Sequence, residues 1–195
     1  MKRAFDITFS LLGLILLSPA FVTACALVKL TSPGPAFFKQ ERMGRNFKSF
    51  RIMKFRTMVA DAPRQGGLLT AGRDPRITPV GRVLRATKID ELPQLLNVLK
   101  GDMSFVGPRP EVPRYVERFR EDYAELLTVR PGITDFASLK YRHEAEILGQ
   151  SPDPETTYVT EILPDKIALG KEYIRRMSVP LDVTLICKTV LRMAG

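Results

Sequence analysis

The stretch ITFSLLGLILLSPAFVTACALVKL, Ile7 to Leu30, carries no charged side chain before Lys29. A helix of about 20 apolar residues is long enough to enter and cross the hydrocarbon of a bilayer. A secretory signal peptide also starts with basic residues, as Lys2 and Arg3 do here. This run is long for that, and TACALVKL continues apolar and then basic instead of into an export-type sequence. The charges around it set a conflict. Lys2 and Arg3 precede the run, and Lys29, Lys39, Arg42, Arg45, Lys48 and Arg51 follow it. Positive residues favour the cytoplasmic side, so both ends compete for it. A straight span leaves one basic end outside, whereas a helix that enters, breaks and returns satisfies both. The break would fall at Ser18-Pro19. Pro19 has no N–H and its ring clashes with the carbonyl of Ile15, and the Ser18 hydroxyl can serve a freed carbonyl. Proline is also tolerated as a mild kink in spanning helices, so these residues alone leave both geometries open.

The remaining length suits one domain with a real core. Its charge is uneven. Residues 1 to 111 hold 18 basic and 8 acidic side chains, and residues 112 to 195 hold 12 and 13. The first half therefore calls for an anionic partner: a nucleic acid, a membrane surface or a phosphorylated substrate. Cys25 and Cys187 each lie in an apolar segment and form no disulfide framework, which fits a reduced, cytosol-facing location. The single histidine, His143, reads as a solvated side chain and leaves no basis for a His-built zinc site or a Ser-His-Asp triad.

TSPGPAF, Thr31 to Phe37, is a Pro/Gly linker. Short β-favouring pieces then flank MGRN, which predicts a hairpin. Seven Lys and Arg lie between Lys39 and Arg56 against one acid, Glu41. They read either as a face beside anionic headgroups or, at Lys54 and Arg56, as phosphate ligands. Residues 59 to 81 look like a long surface loop. Leu92, Leu95, Leu96 and Leu99 form a helical stripe that starts near Asp90 and stops at Lys100-Gly101. Further helices are expected over 112–129, 154–162 and 164–177. The last segment, VPLDVTLICKTVLRMAG, either lies in the membrane interface or closes the core.

KIDELPQL, residues 88 to 95, sets Asp90 beside Glu91. Taken alone, the pair is an N-cap and an acidic first turn, worth about 0.3–1 kcal/mol each. The neighbours argue for more. Arg82, Arg85 and Lys88 precede it, and Arg109 follows in GPRP between two prolines that fix its backbone. A helix start flanked by arginines is a phosphate site. Two carboxylates would repel a bare phosphate unless a divalent cation lay between them. Mg²⁺ suits one or two carboxylates plus substrate phosphates, so the cluster points to metal-assisted phosphoryl transfer. No G-x-x-x-x-G-K-[ST] loop or placed G-x-G-x-x-G is present, so an ATP P-loop or dinucleotide site has no support.

KFRTM, DPRITPVGRVLRATKIDELPQLLNVLKGDMSFVGPRP and RPGIT, after an apolar segment with a central Ser-Pro, resemble the bacterial sugar transferase family, the monotopic phosphoglycosyl transferases, in its minimal form. The resemblance runs over nearly the whole chain. It implies transfer of a sugar-1-phosphate from a UDP-sugar to undecaprenyl phosphate, with release of UMP, Mg²⁺ as cofactor and a covalent intermediate. It assigns Asp90 as nucleophile and Glu91 as metal ligand or base, with both acids available to the metal. Arg85 is the implied phosphate-binding arginine, and Arg109 belongs to the nucleotide loop. It makes the segment re-entrant at Ser18 and Pro19. The expected fold is then a mostly helical α+β domain with a small hairpin and interfacial helices. Residues 1–31 form the membrane helix and residues 32–195 a catalytic domain on the cytoplasmic face of the bacterial inner membrane. The product would feed a surface polysaccharide or glycoconjugate.

The chain departs from the family after PGIT, where it reads DFASLKYRHEAEIL. The sugar specificity of other members therefore does not carry over. His143 and Glu144 either contact sugar hydroxyls there or form a plain polar loop. Two rival readings remain: a glycosyltransferase that releases UDP, and a non-enzymatic basic protein that binds membrane lipid through Lys39 to Arg56. Nucleic acid is disfavoured, because that patch has few stacking platforms beyond Phe47, Phe50 and Phe55. A homodimer is left open.

Overall fold

The structure is a computed structural model that describes residues 2–194. It is mostly helical with two small sheets. The apolar run forms two helices, α1 (Lys2–Leu16) and α2 (Ser18–Thr31), bent by 63°. No single helix among the described residues is long and apolar enough to cross a membrane; the two helices reach that length and apolar composition only when taken together across the bend. The bend has a local cause. Pro19 cannot donate to Ile15, and the Ser18 hydroxyl donates to that carbonyl instead, at 2.8 Å.

The face of α1 that meets the rest of the protein is polar or small. Arg3 Nη1 and Nη2 donate to the carbonyls of Val98 and Leu99 at 2.6 and 2.8 Å. Asp6 and Ser10 are buried, and Gly13 lies against Leu95. Residues 3, 6, 10 and 13 recur at helical spacing. The opposite side is exposed and apolar, with Phe9, Leu12, Ile15 and Leu16. At the other end of the pair, Ala24 and Val28 of α2 pack on Phe55 and Leu84. Both ends of the apolar run therefore rest on the same body.

The hairpin pairs β1 (Phe37–Met43) with β2 (Ser49–Phe55) in antiparallel register, from Phe37 opposite Phe55 to Met43 opposite Ser49. Asn46 and Phe47 take left-handed φ of 57° and 58° in its turn. Next come α3 (Ala62–Gln65), α4 (Pro79–Ala86), a 3₁₀ turn (Ile89–Glu91) and α5 (Gln94–Lys100). β3 (Ser104–Val106) pairs in parallel with β4 (Gly132–Thr134), across α6 (Pro113–Arg118) and α7 (Arg120–Leu126). The chain ends through α8 (Phe136–Lys140), α9 (Glu144–Gln150), α10 (Pro154–Thr157), α11 (Leu163–Arg176) and α12 (Val179–Ala194). The largest core cluster joins Val116, Leu126, Leu148, Ile162 and Leu163.

Four expectations need correction. Residues 59–81 are not a structureless loop: they hold α3, a bridge between Met58 and Ile77, and the start of α4. Arg76 ties the segment down by bonding Asp74 and the carbonyls of Gly67 and Leu69. The helix expected over 112–129 breaks at Phe119, whose φ and ψ are −119° and 38°. No Gly or Pro explains this break; Phe119 packs on the main core there, so tertiary packing overrides the helical stripe. The expected break at Pro164 is absent. A π turn over Tyr158–Ile162 carries α10 into α11, with Pro164 just after it in the first turn of α11. Of the leucine stripe only Leu95 is fully buried, with Leu92, Leu96 and Leu99 half-buried; α5 buries Gln94, Asn97 and Val98 beside it. Asn97 accepts from Met53 N and donates to Arg51 O, each at 2.9 Å, and so satisfies the open edge of β2.

Candidate active site

The acid pair is set by an unusual backbone. Helix α4 stops at Ala86, and Lys88 then takes a left-handed φ of 57°. That conformation costs a non-glycine residue about 1 kcal/mol. It turns the chain into the 3₁₀ turn that carries Asp90 and Glu91. Helix α5 begins only at Gln94, and neither acid caps it. The capping explanation for the pair therefore has no support.

The two carboxylates have different surroundings. Glu91 Oε1 accepts from Lys54 Nζ at 2.8 Å and from Arg109 Nη2 at 2.6 Å. Burial alone would raise its pKa, but the charges of Arg109 and Lys54 win and hold the carboxyl well below the ordinary glutamate range. Arg109 is pushed up in turn, chiefly by the Glu91 charge. Asp90 is 6% exposed, and its Oδ1 is buried with no hydrogen-bond partner. Burial lifts its carboxyl above the ordinary aspartate range, the Glu91 charge adds to that, and Lys54, Lys88 and Arg85 oppose it. One acid is thus fixed and ionised, and the other is uncommitted.

The sequence-predicted cations divide. Lys54 comes from β2, and Arg109 from the loop after β3, and both reach Glu91. The Arg109 loop is held firmly. Its backbone N donates to Asp135 Oδ2 at 3.2 Å and its Nη1 to Ile133 O at 3.3 Å. Arg85 lines the same cleft from α4, with Nε 2.8 Å from Thr57 Oγ1. Arg56 is placed differently. It is 6% exposed, and its guanidinium bonds the carbonyls of Ser32 and Pro33. Its charge fastens the linker below the helix pair instead of facing the acids.

All these groups lie in one open cleft of about 1430 Å³. Gly13 and Leu17 at the elbow of the helix pair, with Leu92 and Leu95, give it an apolar wall. Arg142 and Lys166 line it elsewhere. No cluster of three or more His, Cys, Asp or Glu able to hold a metal exists among the described residues. The unpartnered Asp90 Oδ1 beside an ionised Glu91 still fits Mg²⁺, which takes few protein carboxylates and completes its shell with phosphate oxygens and water.

A family model described as bacterial sugar transferase matches residues 1–195. The chain belongs to the bacterial sugar transferase family. Among its relatives is the UDP-N-acetylgalactosamine-undecaprenyl-phosphate N-acetylgalactosaminephosphotransferase of Aeromonas hydrophila, 38% identical over 97% of this chain and 43% of that protein. The UDP-glucose:undecaprenyl-phosphate glucose-1-phosphate transferase of Escherichia coli K12 is 38% identical over 98% of this chain and 40% of its own length. The exopolysaccharide production protein PSS of Rhizobium leguminosarum bv. phaseoli is 38% identical over 98% of this chain and 94% of its own. The chain thus spans less than half of the first two and nearly all of the third.

In this bacterial sugar transferase the segment after RPGIT forms α8 and α9 at the cleft wall. His143 is largely exposed and pairs with Glu146, while Glu144 pairs with Lys166. Three functional neighbours were not singled out from the sequence: Asp135, Thr57 and Glu111. Asp135 anchors Arg109 and caps α8 through Ser138 N. Thr57 orients Arg85. Glu111 bonds Arg42, Val112 N and the Tyr158 hydroxyl. Each left a local signal, Thr57 inside KFRTM, Asp135 directly after RPGIT and Glu111 directly after GPRP, but what each one bonds is set by tertiary contacts.

Proposed function

We propose that the protein moves a sugar-1-phosphate from a UDP-sugar to undecaprenyl phosphate and releases UMP, with Asp90 as nucleophile. The observation that carries this reading is the division within the acid pair: Glu91 is tied to Lys54 and Arg109, while Asp90 keeps a buried oxygen with no partner. An Asp90 oxygen attacks the sugar-bearing phosphorus. The bond from that phosphorus to the oxygen bridging the two phosphates breaks, and UMP departs with the electron pair. A lipid phosphate oxygen then attacks the same phosphorus and frees the Asp90 carboxylate. Splitting the transfer means that the soluble donor and the lipid acceptor need not meet.

Arg85, Lys54 and Arg109 spread positive charge over the transferring and departing phosphates. Mg²⁺, held by Asp90 and Glu91 with substrate oxygens, would neutralise phosphate charge. Glu91 holds the two cations in place throughout. The helix pair, α1 and α2, acts as a re-entrant membrane helix: its bend, its apolar outer face and the docking of both ends on one body support this. Residues 32–195 form the catalytic domain on the cytoplasmic face of the inner membrane. The apolar cleft wall from Leu92 to Leu17 offers the acceptor's chain a path to the acids. The product serves a surface polysaccharide or glycoconjugate, as the name of the Rhizobium relative suggests.

The test is UMP release by detergent-purified protein, with undecaprenyl phosphate, Mg²⁺ and a panel of UDP-sugars, wild type beside Asp90→Asn. UMP from one sugar, lowered at least about a thousandfold in the variant, is expected. UMP that survives Asp90→Asn would return this residue to a structural role. UDP as product would replace the reaction with plain glycosyl transfer.

A further inference from the structure

The first turns of the apolar helix pair hold the strand that delivers Arg109. Lys2 Nζ lies 2.9 Å from Val106 O, 2.6 Å from the Tyr173 hydroxyl and 2.6 Å from Asp182 Oδ2. An ammonium has three donors, and all three are used. Tyr173 is fully buried and donates to Asp182 Oδ1 at 2.7 Å. One turn along α1, Asp6 is 2% exposed, and its Oδ1 accepts from Ser104 Oγ at 3.0 Å and Phe105 N at 3.2 Å. Two residues of the helix pair therefore grip all three residues of β3.

β3 runs straight into Gly107-Pro108-Arg109, and little slack separates them. Gly107 N donates to Thr134 O, and Gly132 N donates to Pro108 O. A Cβ on Gly107 would meet Arg130 O at 2.4 Å, and one on Gly132 would meet Gly107 N at 2.1 Å. Backbone packed this closely passes a displacement of Val106 on to Arg109. The second cation on Glu91 is reached from the other end of the pair. Ala24 and Val28 of α2 pack on Phe55, the residue after Lys54, and Arg56 holds the linker carbonyls. An anchor that only had to stay in lipid would not need an aspartate buried in its second turn, because an unpaired buried carboxylate is costly.

We propose that Lys2 and Asp6 are positioning residues for the reaction: by holding β3 they set Arg109 against Glu91, so that docking of the apolar helix pair fixes the geometry of the active site. This rests on the transferase reading above. It makes the anchor part of the catalytic apparatus, a mechanical link between seating at the membrane and alignment of the phosphate-binding cations.

The experiment compares wild type with Lys2→Met, Lys2→Arg and Asp6→Asn in detergent-purified protein. Hydrogen exchange is followed at the amides of Phe105, Gly107 and Arg109, with donor kcat and KM from UMP release and the thermal midpoint of each variant. Lys2→Met is expected to speed exchange at Gly107 and Arg109 by about tenfold or more. It should also lower kcat about tenfold or more, with donor KM changing by less than about threefold, because misplacement of a phosphate-binding group acts in the transition state. Lys2→Arg should recover most of both losses at an unchanged midpoint. Unchanged exchange in both Lys2→Met and Asp6→Asn would overturn the proposal. So would a kcat loss that only follows the midpoint, or one that Lys2→Arg does not rescue. Lys2 is partly exposed, so its variants remain informative if Asp6→Asn does not fold. Exchange needs no substrate. A wild type that releases no UMP would therefore overturn the reaction, while exchange alone would decide the link from α1 to Arg109.

Discussion

Asp90 and Glu91 are neighbours in the chain but not in chemistry. Glu91 balances Lys54 and Arg109, so removing its charge leaves two cations in a half-buried site without a partner. Glu91→Gln should lower kcat/KM by about 100-fold or more while the chain stays folded, since the loss is electrostatic and local. UMP release and a thermal melt, run together, separate the two effects. Arg109→Lys is the finer probe. It keeps the charge but not the fork that bonds Ile133 O and Glu91 with two nitrogens. A fall in kcat/KM of about 10- to 100-fold is expected from losing that geometry. Equal activity in Arg109→Lys would show that only the charge matters. Lys88 contributes through its backbone as well as its charge: its left-handed turn is what points the acids into the cleft.

Among the elements, the segment from Ala60 to Ile77 is the one whose order depends most clearly on a single ion pair. The hydrogen bond from Arg76 holds the Asp74 carboxyl below its ordinary value, with burial acting the other way. A depressed folded pKa gives stability that is fully present above the unfolded value and is lost as pH falls through the folded one. Proteolytic nicking of residues 60–77 should therefore stay constant from neutral pH down to about pH 5 and rise below about pH 4. Asp74→Asn should be nicked faster at every pH. The β3–β4 pair fails for a different reason. At Gly132 the atoms in the way are backbone, so the neighbour cannot yield. Gly132→Ala should cost about 3 kcal/mol or more, at or above the usual range for overpacking, and show as a lowered thermal midpoint.

For the whole molecule the sharp question is which side of a membrane each end of the helix pair occupies. Ala4 and Thr31 are exposed near the two ends. In a background with Cys25→Ser and Cys187→Ser, a membrane-impermeant thiol reagent should label Ala4→Cys and Thr31→Cys from the same side of sealed vesicles. Labelling from opposite sides would mean a spanning helix. The basic flank before the pair has a structural partner. Lys2 and Arg3 are bonded to the domain, so docking keeps this end of the pair beside the domain. α12 closes the core as foreseen for the last segment: Leu185 is buried in a core cluster, while Val183, Val190 and Leu191 remain exposed.

The sequence by itself determined the hairpin, the Ser18-Pro19 break and the Asp90-Glu91 pair with Arg85 and Lys88 before it, because each depends on residues close together in the chain, and it determined the family through motifs spread along the chain. Turn chemistry, proline and a dense motif act over a few residues and need no partner from elsewhere. What each charge does was decided only by the tertiary structure. Lys54 and Arg56 are two residues apart, yet one pairs with Glu91 and the other with linker carbonyls. Asp90 and Glu91 are equivalent in the sequence until Arg109, 18 residues on, takes one of them. The break at Phe119, the polar face of α1 and the grip of Lys2 on Val106 and Asp182 join segments as much as 180 residues apart. Such contacts follow from how surfaces pack and which buried polar groups must be satisfied, and that is settled only when the chain closes on itself.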